Sequence, residues 1–146
     1  MGPLWVYKTA FEPDADQVSI RKVWQSRAHV AAFAADPSYS EFVQRRKSLA
    51  STPVRDLQVS LSEAPLSCFE APITEVDILR TDDTHIEEMH GVARSTVHLI
   101  QSMQPPGFHG SSYGVQVEDP TVGVYMAGWD TVEVRREIEQ SPRLWN

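Results

Sequence analysis

The feature that most constrains the fold is a short pattern that occurs twice in the sequence, 105 positions apart. Each copy has a strand-like segment, a tryptophan, a Ser or Thr two residues later, a helical stretch and a proline. The equivalent positions are Trp24 and Trp129, Ser26 and Thr131, and Pro37 and Pro142. Because unrelated segments rarely share several positions in one order, we interpret the chain as two related α+β units.

Period-two alternation and turn residues predict the elements of the first unit. An antiparallel hairpin is expected before Ser26, which can cap a helix. That helix is expected to break at Asp36-Pro37-Ser38 and then to restart. The predicted strands are Leu4–Ala10, Val18–Trp24 and Leu57–Leu61, and residues 64–72 are predicted to form a loop.

The second unit contains the strongest helical pattern in the chain. Thr84 and Glu87 have the spacing of a capping box at the start of this helix, and Pro105-Pro106-Gly107 ends it. Its apolar residues recur at steps of three and four, which predicts one buried face: Ile86, Met89, Ala93, Val97, Ile100 and Met103. Strands are predicted at Ile73–Leu79, Ser112–Val117 and Val122–Trp129, and a further helix at Val132–Gln140.

The recurring unit resembles a known superfamily. The resemblance rests on Trp24-Gln25-Ser26-Arg27-Ala28-His29 and on Asp36-Pro37-Ser38-Tyr39, with a weaker match from Trp129 to Leu144. These segments are similar to the dimeric α+β barrel proteins, in particular the antibiotic-biosynthesis-monooxygenase-like and polyketide-cyclase-like branches. The resemblance implies an α+β fold with ferredoxin-like antiparallel sheets and helices on one face.

Members of this superfamily have the order strand, helix, strand, strand, helix, strand, and the chain departs from it at both ends. Residues 1–64 are expected to supply strand, strand, helix and strand of a first repeat. Residues 71–146 are expected to supply strand, helix, strand, strand and helix of a second repeat, within one folding unit. Either the chain is part of a longer tandem protein, or another chain completes its sheets. Because an open sheet edge needs covering, a homo-oligomer such as a homodimer is favoured.

Composition excludes several classes of partner. The formal charge of −7 repels a phosphate backbone, so neither nucleic acid nor an anionic membrane is expected as a partner. No apolar run approaches the roughly 18 residues of a membrane span, and the start lacks the pattern of a signal peptide. The single cysteine, Cys68, excludes an intrachain disulfide. A cytoplasmic location is therefore expected.

The sequence contains no motif for a bound nucleotide, a nucleophilic serine or a metal ion. A phosphate-binding glycine loop and a nucleophile elbow are both absent from it. His85 and His90 are five residues apart and diverge on a helix, unlike the i, i+4 ligand pair of zinc-dependent proteases. We therefore expect neither a cofactor nor a metal.

Proton transfer is the chemistry that the remaining side chains favour. Histidine titrates near neutral pH, and a tyrosine hydroxyl can donate to an enolate or phenolate oxygen. His90 lies at the edge of the apolar helix face, His109 at the mouth of a strand, and Tyr113 and Tyr125 on neighbouring strands. These four are the predicted catalytic residues. The alternatives are a boundary side chain for His90, an ordinary loop role for His109 and a core position for each tyrosine.

Four further residues are predicted to contact a substrate. Asp77 interrupts an apolar strand and would have a raised pKa if buried, with a solvated interface position as the alternative. His29 is expected to pack beside the sheet, and Met89 belongs to the apolar helix face. The resemblance alone assigns substrate contact to Trp129.

Two classes of function fit these residues. The first is a cofactor-independent enzyme that cyclises, isomerises or otherwise rearranges an apolar substrate by proton transfer, and the resemblance supplies a polyketide-like substrate class. Cofactor-free oxygen insertion into an electron-rich phenol is an alternative within the same fold. The second class is a non-catalytic binding or assembly module. A pocket lined by convergent polar groups would favour the enzyme.

Overall fold

The computed structural model describes residues 4–7, 22–24, 26–50, 57–63 and 66–141. The strands are β1 (Leu4–Tyr7), β2 (Lys22–Val23), β3 (Leu57–Leu61), β4 (Ile73–Arg80), β5 (Phe108–Gln116) and β6 (Val122–Trp129). The helices are α1 (Arg27–Ala35), α2 (Ser38–Ser48), α3 (Leu66–Glu70), α4 (Ile86–Met103) and α5 (Val132–Glu139). The strands form one six-stranded sheet in the order β2-β1-β3-β5-β6-β4, in which all the pairs are antiparallel. The predicted α+β class with an antiparallel sheet is confirmed.

Several predicted elements form where their patterns place them. The first hairpin is antiparallel, with Trp5 opposite Val23. The parts of its predicted strands at residues 8–10 and 18–21 lie outside the described residues, as does Pro142. β3 and β6 have the predicted bounds, and α4 ends at Met103 as expected.

The two copies of the repeated pattern have equivalent helix caps. The side chain of Ser26 accepts a hydrogen bond from the His29 backbone N–H at the start of α1, and Thr131 accepts one from Val134 at the start of α5. In each case a Ser or Thr hydroxyl satisfies an N–H that the helix itself leaves unpaired. The break between α1 and α2 follows from Asp36, whose carboxylate accepts from both the backbone N–H and the hydroxyl of Ser38.

Three local predictions are wrong. The proposed capping box is not formed, because the Thr84 hydroxyl donates to Asp82, and His85 occupies the cap position without a side-chain bond to the helix backbone. Residues 64–72 contain the short helix α3 rather than only a loop, since Cys68 and Phe69 pack against the sheet. β5 begins at Phe108, four residues earlier than expected, because it continues past a bulge to lie opposite Trp129.

β3 and β5 join the two halves of the chain into one sheet. Their register places Leu61 opposite Gly114. A Cβ at Gly114 would lie 2.6 Å from both the Leu61 side chain and the Ser60 carbonyl oxygen. Glycine is therefore needed here for close approach of the two strands.

Each face of the sheet carries its own apolar cluster, because successive side chains on a strand point to opposite sides. One cluster contains Val59, Leu61, Val76, Val124 and Met126, with Phe69 of α3 packed against it. The other lies under α4 and α5 and contains Ala93, Val97, Ile100, Tyr113, Tyr125, Ala127 and Trp129. Of the six predicted apolar positions of α4, Ala93, Val97 and Ile100 are buried and the other three are partly exposed, and His90 is buried in addition. Of the helices that the structure describes, none is long and apolar enough to cross a membrane.

Candidate functional site

A cavity of about 600 Å³ lies between α4, α5 and the edge strand β4. Its floor is formed by residues of β4 and β6, namely Glu75, Asp77, Leu79, Tyr125 and Trp129. Its α4 wall is mostly apolar and consists of Met89, Val92, Ala93, Thr96, Leu99 and Ile100. Such a size and an apolar lining with a few polar groups are typical of small-molecule sites.

Strand alternation explains why the polar groups of the floor converge. Glu75 and Asp77 are two residues apart on β4, so both point to the face that α4 and α5 cover. β4 and β6 pair with Asp77 opposite Tyr125. A carboxyl group and a phenol thus lie side by side at the base of an apolar cavity.

Asp77 has the most perturbed carboxyl group of this site. Burial, followed by the negative charge of Glu75, raises the pKa of the Asp77 side chain to about 6, although Arg135 opposes both effects. A carboxyl with a pKa near neutrality can both take and return a proton under ordinary conditions. The predicted raised pKa of Asp77 therefore has a physical basis in the fold.

Glu75 is held by donors from two other elements. Its carboxylate accepts hydrogen bonds from the Trp129 indole Nε1 at 2.9 Å and from Arg135 Nε at 2.7 Å. A second Arg135 nitrogen lies 2.6 Å from Glu75 and 2.8 Å from Glu139. Only 8% of the Glu75 side chain is exposed, so these partners compensate the loss of water around its charge.

Tyr125 provides a neutral hydrogen-bond donor beside Asp77. Burial raises the pKa of the Tyr125 hydroxyl strongly, and the negative charges of Glu75 and Asp77 add to the effect. The hydroxyl therefore stays protonated over the physiological range. Such a donor can stabilise an oxyanion that develops on a bound molecule.

His90 and Tyr113 form a separate, closed pair in the core. His90 Nε2 lies 3.0 Å from the Pro120 carbonyl oxygen, which can only accept, so Nε2 carries the proton and Nδ1 accepts. The Tyr113 hydroxyl donates to His90 Nδ1 at 2.6 Å. Both side chains are almost fully buried, and neither lines the cavity. The two side chains are hydrogen-bonded to each other. Their catalytic role stays a prediction.

The other histidines lie on the surface. His109 contacts Asp130 at 2.6 Å outside the cavity. His29 is exposed and bonds to Ser26 rather than packing beside the sheet, so the expected location of its side chain is wrong. His98 is exposed, and His85 contacts Asp82 at the mouth of the cavity.

Of the residues predicted to contact a substrate, Asp77, Met89 and Trp129 line the cavity, together with Tyr125 from the predicted catalytic set. Sequence reasoning missed Glu75 and Arg135. The available signal for Glu75 was a second acidic residue on the same face of β4 as Asp77. Arg135 had no comparable signal, because its contact joins positions 60 residues apart. Within the part of the chain that the structure describes, no group of three or more His, Cys, Asp or Glu side chains is arranged to hold a metal ion.

Comparison with known proteins identifies the fold. No protein-family model and no curated protein sequence matches the chain. A provisionally named monooxygenase from Fusobacterium nucleatum superposes on 99% of the chain with a TM-score of 0.69 at 7% identity. One from Lactobacillus acidophilus superposes on 98% with a TM-score of 0.64 at 11% identity. The chain therefore shares the α+β fold of these proteins.

A third structure, described as an anthrone oxidase-like protein, superposes on 97% of the chain with a TM-score of 0.67 at 11% identity. The chain spans 67%, 68% and 64% of the lengths of these three proteins, in the order given. These superpositions establish a shared fold. At such low identities, the substrate and the reaction have to be argued from the residues of the site.

Proposed function

We propose that the chain is a small-molecule enzyme in which Asp77 moves a proton and Tyr125 stabilises the resulting anion. The observation that carries the proposal is the placement of these two side chains on paired strands at the floor of one apolar cavity. Neither group needs a cofactor for this step. Asp77 is proposed as the base instead of the predicted histidines, because Asp77 lines the cavity and His90 does not.

The proposed reaction begins with removal of a proton from an activated C–H or O–H group. The Asp77 carboxylate takes the proton and becomes a carboxylic acid, and the substrate becomes an enolate or phenolate. The Tyr125 hydroxyl donates to the new oxyanion. Return of the proton to a different carbon gives an isomer, and attack of the carbanion on a carbonyl of the same molecule gives a ring. Confinement against the α4 wall would hold the substrate in the reactive geometry.

Oxygenation is a second candidate, favoured by the names of the structural neighbours. Two are described as monooxygenases and one as anthrone oxidase-like. A stabilised carbanion can itself reduce O₂, so the same first step serves this reaction. Oxidation of an anthrone balances as one anthrone and one O₂ giving one anthraquinone and one water. A polyketide-like aromatic compound with an acidic CH₂ group is therefore the substrate class we propose.

A homodimer is also part of the proposal. β4 pairs with β6 on one side and forms the edge of the described sheet. Beside it, 63% of Val92 on the cavity wall is exposed. A second copy that covered this edge would also close the cavity. Light scattering on the purified chain tests this arrangement, and a monomeric mass would contradict it. The cytoplasmic location stays a prediction of the sequence.

Anthrone is a suitable probe for the proposed reaction, because exchange of its CH₂ protons with D₂O reports proton abstraction without oxygen. We expect the wild-type chain to accelerate anaerobic exchange, followed by NMR, above the buffer rate. Asp77→Asn should lower the enzymatic rate by about 10²-fold or more, the usual contribution of a general base. Asp83→Asn removes the same charge from an exposed position and should leave the rate unchanged.

The remaining outcomes separate the candidate functions. Exchange accompanied by O₂ consumption in air would favour oxygenation, and exchange without it would favour isomerisation or cyclisation. Binding of anthrone without accelerated exchange would support the non-catalytic module. Equal exchange by wild type and Asp77→Asn would rule out Asp77 as the base.

A further inference from the structure

Glu75 is the most firmly held charged group in the cavity. Trp129 and Arg135 supply three close contacts to its two oxygens, all between 2.6 and 2.9 Å. The donors come from β6 and α5, so two separate elements restrict the carboxylate in position and direction. Charge-assisted bonds of this kind are short and strong.

The fixed carboxylate lies next to the proposed base. Glu75 and Asp77 point to the same side of β4 and both line the cavity. Burial and the charge of Glu75 raise the pKa of Asp77, and a hydrogen bond between the two side chains adds to the effect. Two carboxyl groups can share such a bond only when one of them holds a proton. Both Glu75 oxygens already accept bonds from Arg135 and Trp129, so Asp77 is the partner that donates.

Other charged groups around Asp77 do not offer the same contact. α5 contributes Arg135 and Glu139, β6 contributes the hydroxyl of Tyr125, and Glu88 and His85 line the cavity at α4 and just before it. Arg135 favours the ionised form of Asp77, which opposes proton uptake. Burial favours the protonated form of Asp77 most, and among the charged neighbours Glu75 contributes more than Glu139.

We propose that Glu75 is a positioning residue that receives the hydrogen bond of the Asp77 carboxylic acid once Asp77 has taken a proton from the substrate. This inference rests on the proposed function and assigns the residue that makes Asp77 a strong enough base. In the resting enzyme the ionised Asp77 faces the cavity beside a second negative charge. Proton transfer from the substrate removes that repulsion and replaces it with a hydrogen bond. Arg135 and Trp129 act through Glu75 by holding its carboxylate in position.

The decisive measurement is a ¹³C NMR titration of the Asp77 carboxyl carbon in the ligand-free protein, in the wild type and in Glu75→Gln. Gln has nearly the same shape but no charge. We expect the titration midpoint to fall by about one pH unit, the usual scale for loss of a neighbouring like charge. The rising limb of kcat/KM with pH should move to lower pH by the same amount. If Glu75 had only a structural role, neither the NMR titration midpoint nor the rising limb of kcat/KM would move in Glu75→Gln.

Glu139→Gln is the matched control, because it removes a carboxylate from the other side of Arg135. The Asp77 titration midpoint in Glu139→Gln should differ from the wild-type value by less than half of the shift expected for Glu75→Gln. If Glu75→Gln does not fold, Glu75→Asp keeps the charge and withdraws it from Asp77, and a smaller fall in the midpoint is expected. An unchanged midpoint in the folded variant would overturn the inference.

The two proposals fail in different ways. The NMR titration needs no substrate, so the positioning role can be rejected while Asp77→Asn still abolishes exchange of anthrone protons. Conversely, an Asp77 midpoint that depends on Glu75 in a protein without any exchange activity would contradict the proposed function. In that second case Glu75 and Asp77 would be coupled carboxyl groups that do not take part in catalysis.

Discussion

Tyr113 and Tyr125 lie opposite each other on β5 and β6, on the same face of the sheet, yet their hydroxyl groups have different surroundings. Tyr113 donates to His90, whose other ring nitrogen donates to a backbone carbonyl, so this pair is closed within the core. Tyr125 lines the cavity next to Asp77. Residue type and register are the same at both positions. What differs is whether the tyrosine hydroxyl is already hydrogen-bonded to another side chain of the protein.

The comparison shows how the same polar groups serve stability in one place and chemistry in another. A buried, fully paired network specifies the packing of a core and resists change. A group beside a cavity keeps a bonding direction for a bound molecule. The two tyrosines therefore predict opposite patterns of mutational effect, one on activity and one on stability.

The largest expected effect is on activity at Tyr125. Tyr125→Phe removes the proposed oxyanion donor and should lower the rate of anthrone proton exchange by about 10²-fold. Tyr113→Phe removes the same atom from the opposite position and should lower the rate less than about threefold, because Tyr113 does not line the cavity. Equal losses in the two folded variants would contradict the division between them.

The next effect is on stability, with the order of the two variants reversed. Tyr113→Phe leaves buried Nδ1 of His90 without its donor, which should lower the free energy of unfolding by about 1–3 kcal/mol. Tyr125→Phe breaks no bond to a described residue and should cost less. Urea denaturation of both variants measures the difference. A larger loss for Tyr125→Phe would show that its hydroxyl has a structural role.

The smallest expected effect concerns the pH dependence of stability. The pKa of Asp77 is about 6 in the folded chain and near 3.8 when unperturbed, so folding favours its protonated form. This contribution is present below about pH 4 and is lost as the pH rises through 6. Asp77→Asn cannot ionise. Its Tm relative to wild type should therefore be about 2 °C higher at pH 7.5 than at pH 4, a modest change because Asp77 is only half-buried.

Asp83→Asn is again the control for this measurement, since an exposed aspartate should show no such dependence on pH. Differential scanning calorimetry at several pH values follows the change. A Tm difference between Asp77→Asn and wild type that is independent of pH would show that Asp77 titrates normally in the folded chain.

Much of the fold could be predicted from local sequence patterns. β3 and β6 have the predicted bounds, and the apolar steps of α4 identify its buried face. The errors occur where a tertiary contact competes with a local rule. Thr84 has the spacing of a capping residue, but its hydroxyl bonds to Asp82 instead. β5 begins early because Phe108 continues the pairing with β6.

The candidate site was only partly predictable. Asp77 was noticeable as a charge within an apolar strand, and Tyr125 as a phenol on a strand next to that of Tyr113. His90 is a typical acid–base residue, but Pro120 and Tyr113 occupy both of its ring nitrogens. Nothing in the local sequence distinguishes a histidine that faces a cavity from one that is sealed in the core.

The sequence by itself determined most of the strands and helices, the α+β class and the apolar face of α4, because these follow from periodicities of two to four residues. Only the tertiary structure decided which polar groups meet. Glu75 and Arg135 come together from positions 60 residues apart, and the cavity forms where α4, α5 and β4 do not close on each other. Such contacts depend on the distances between packed elements, which no local pattern encodes.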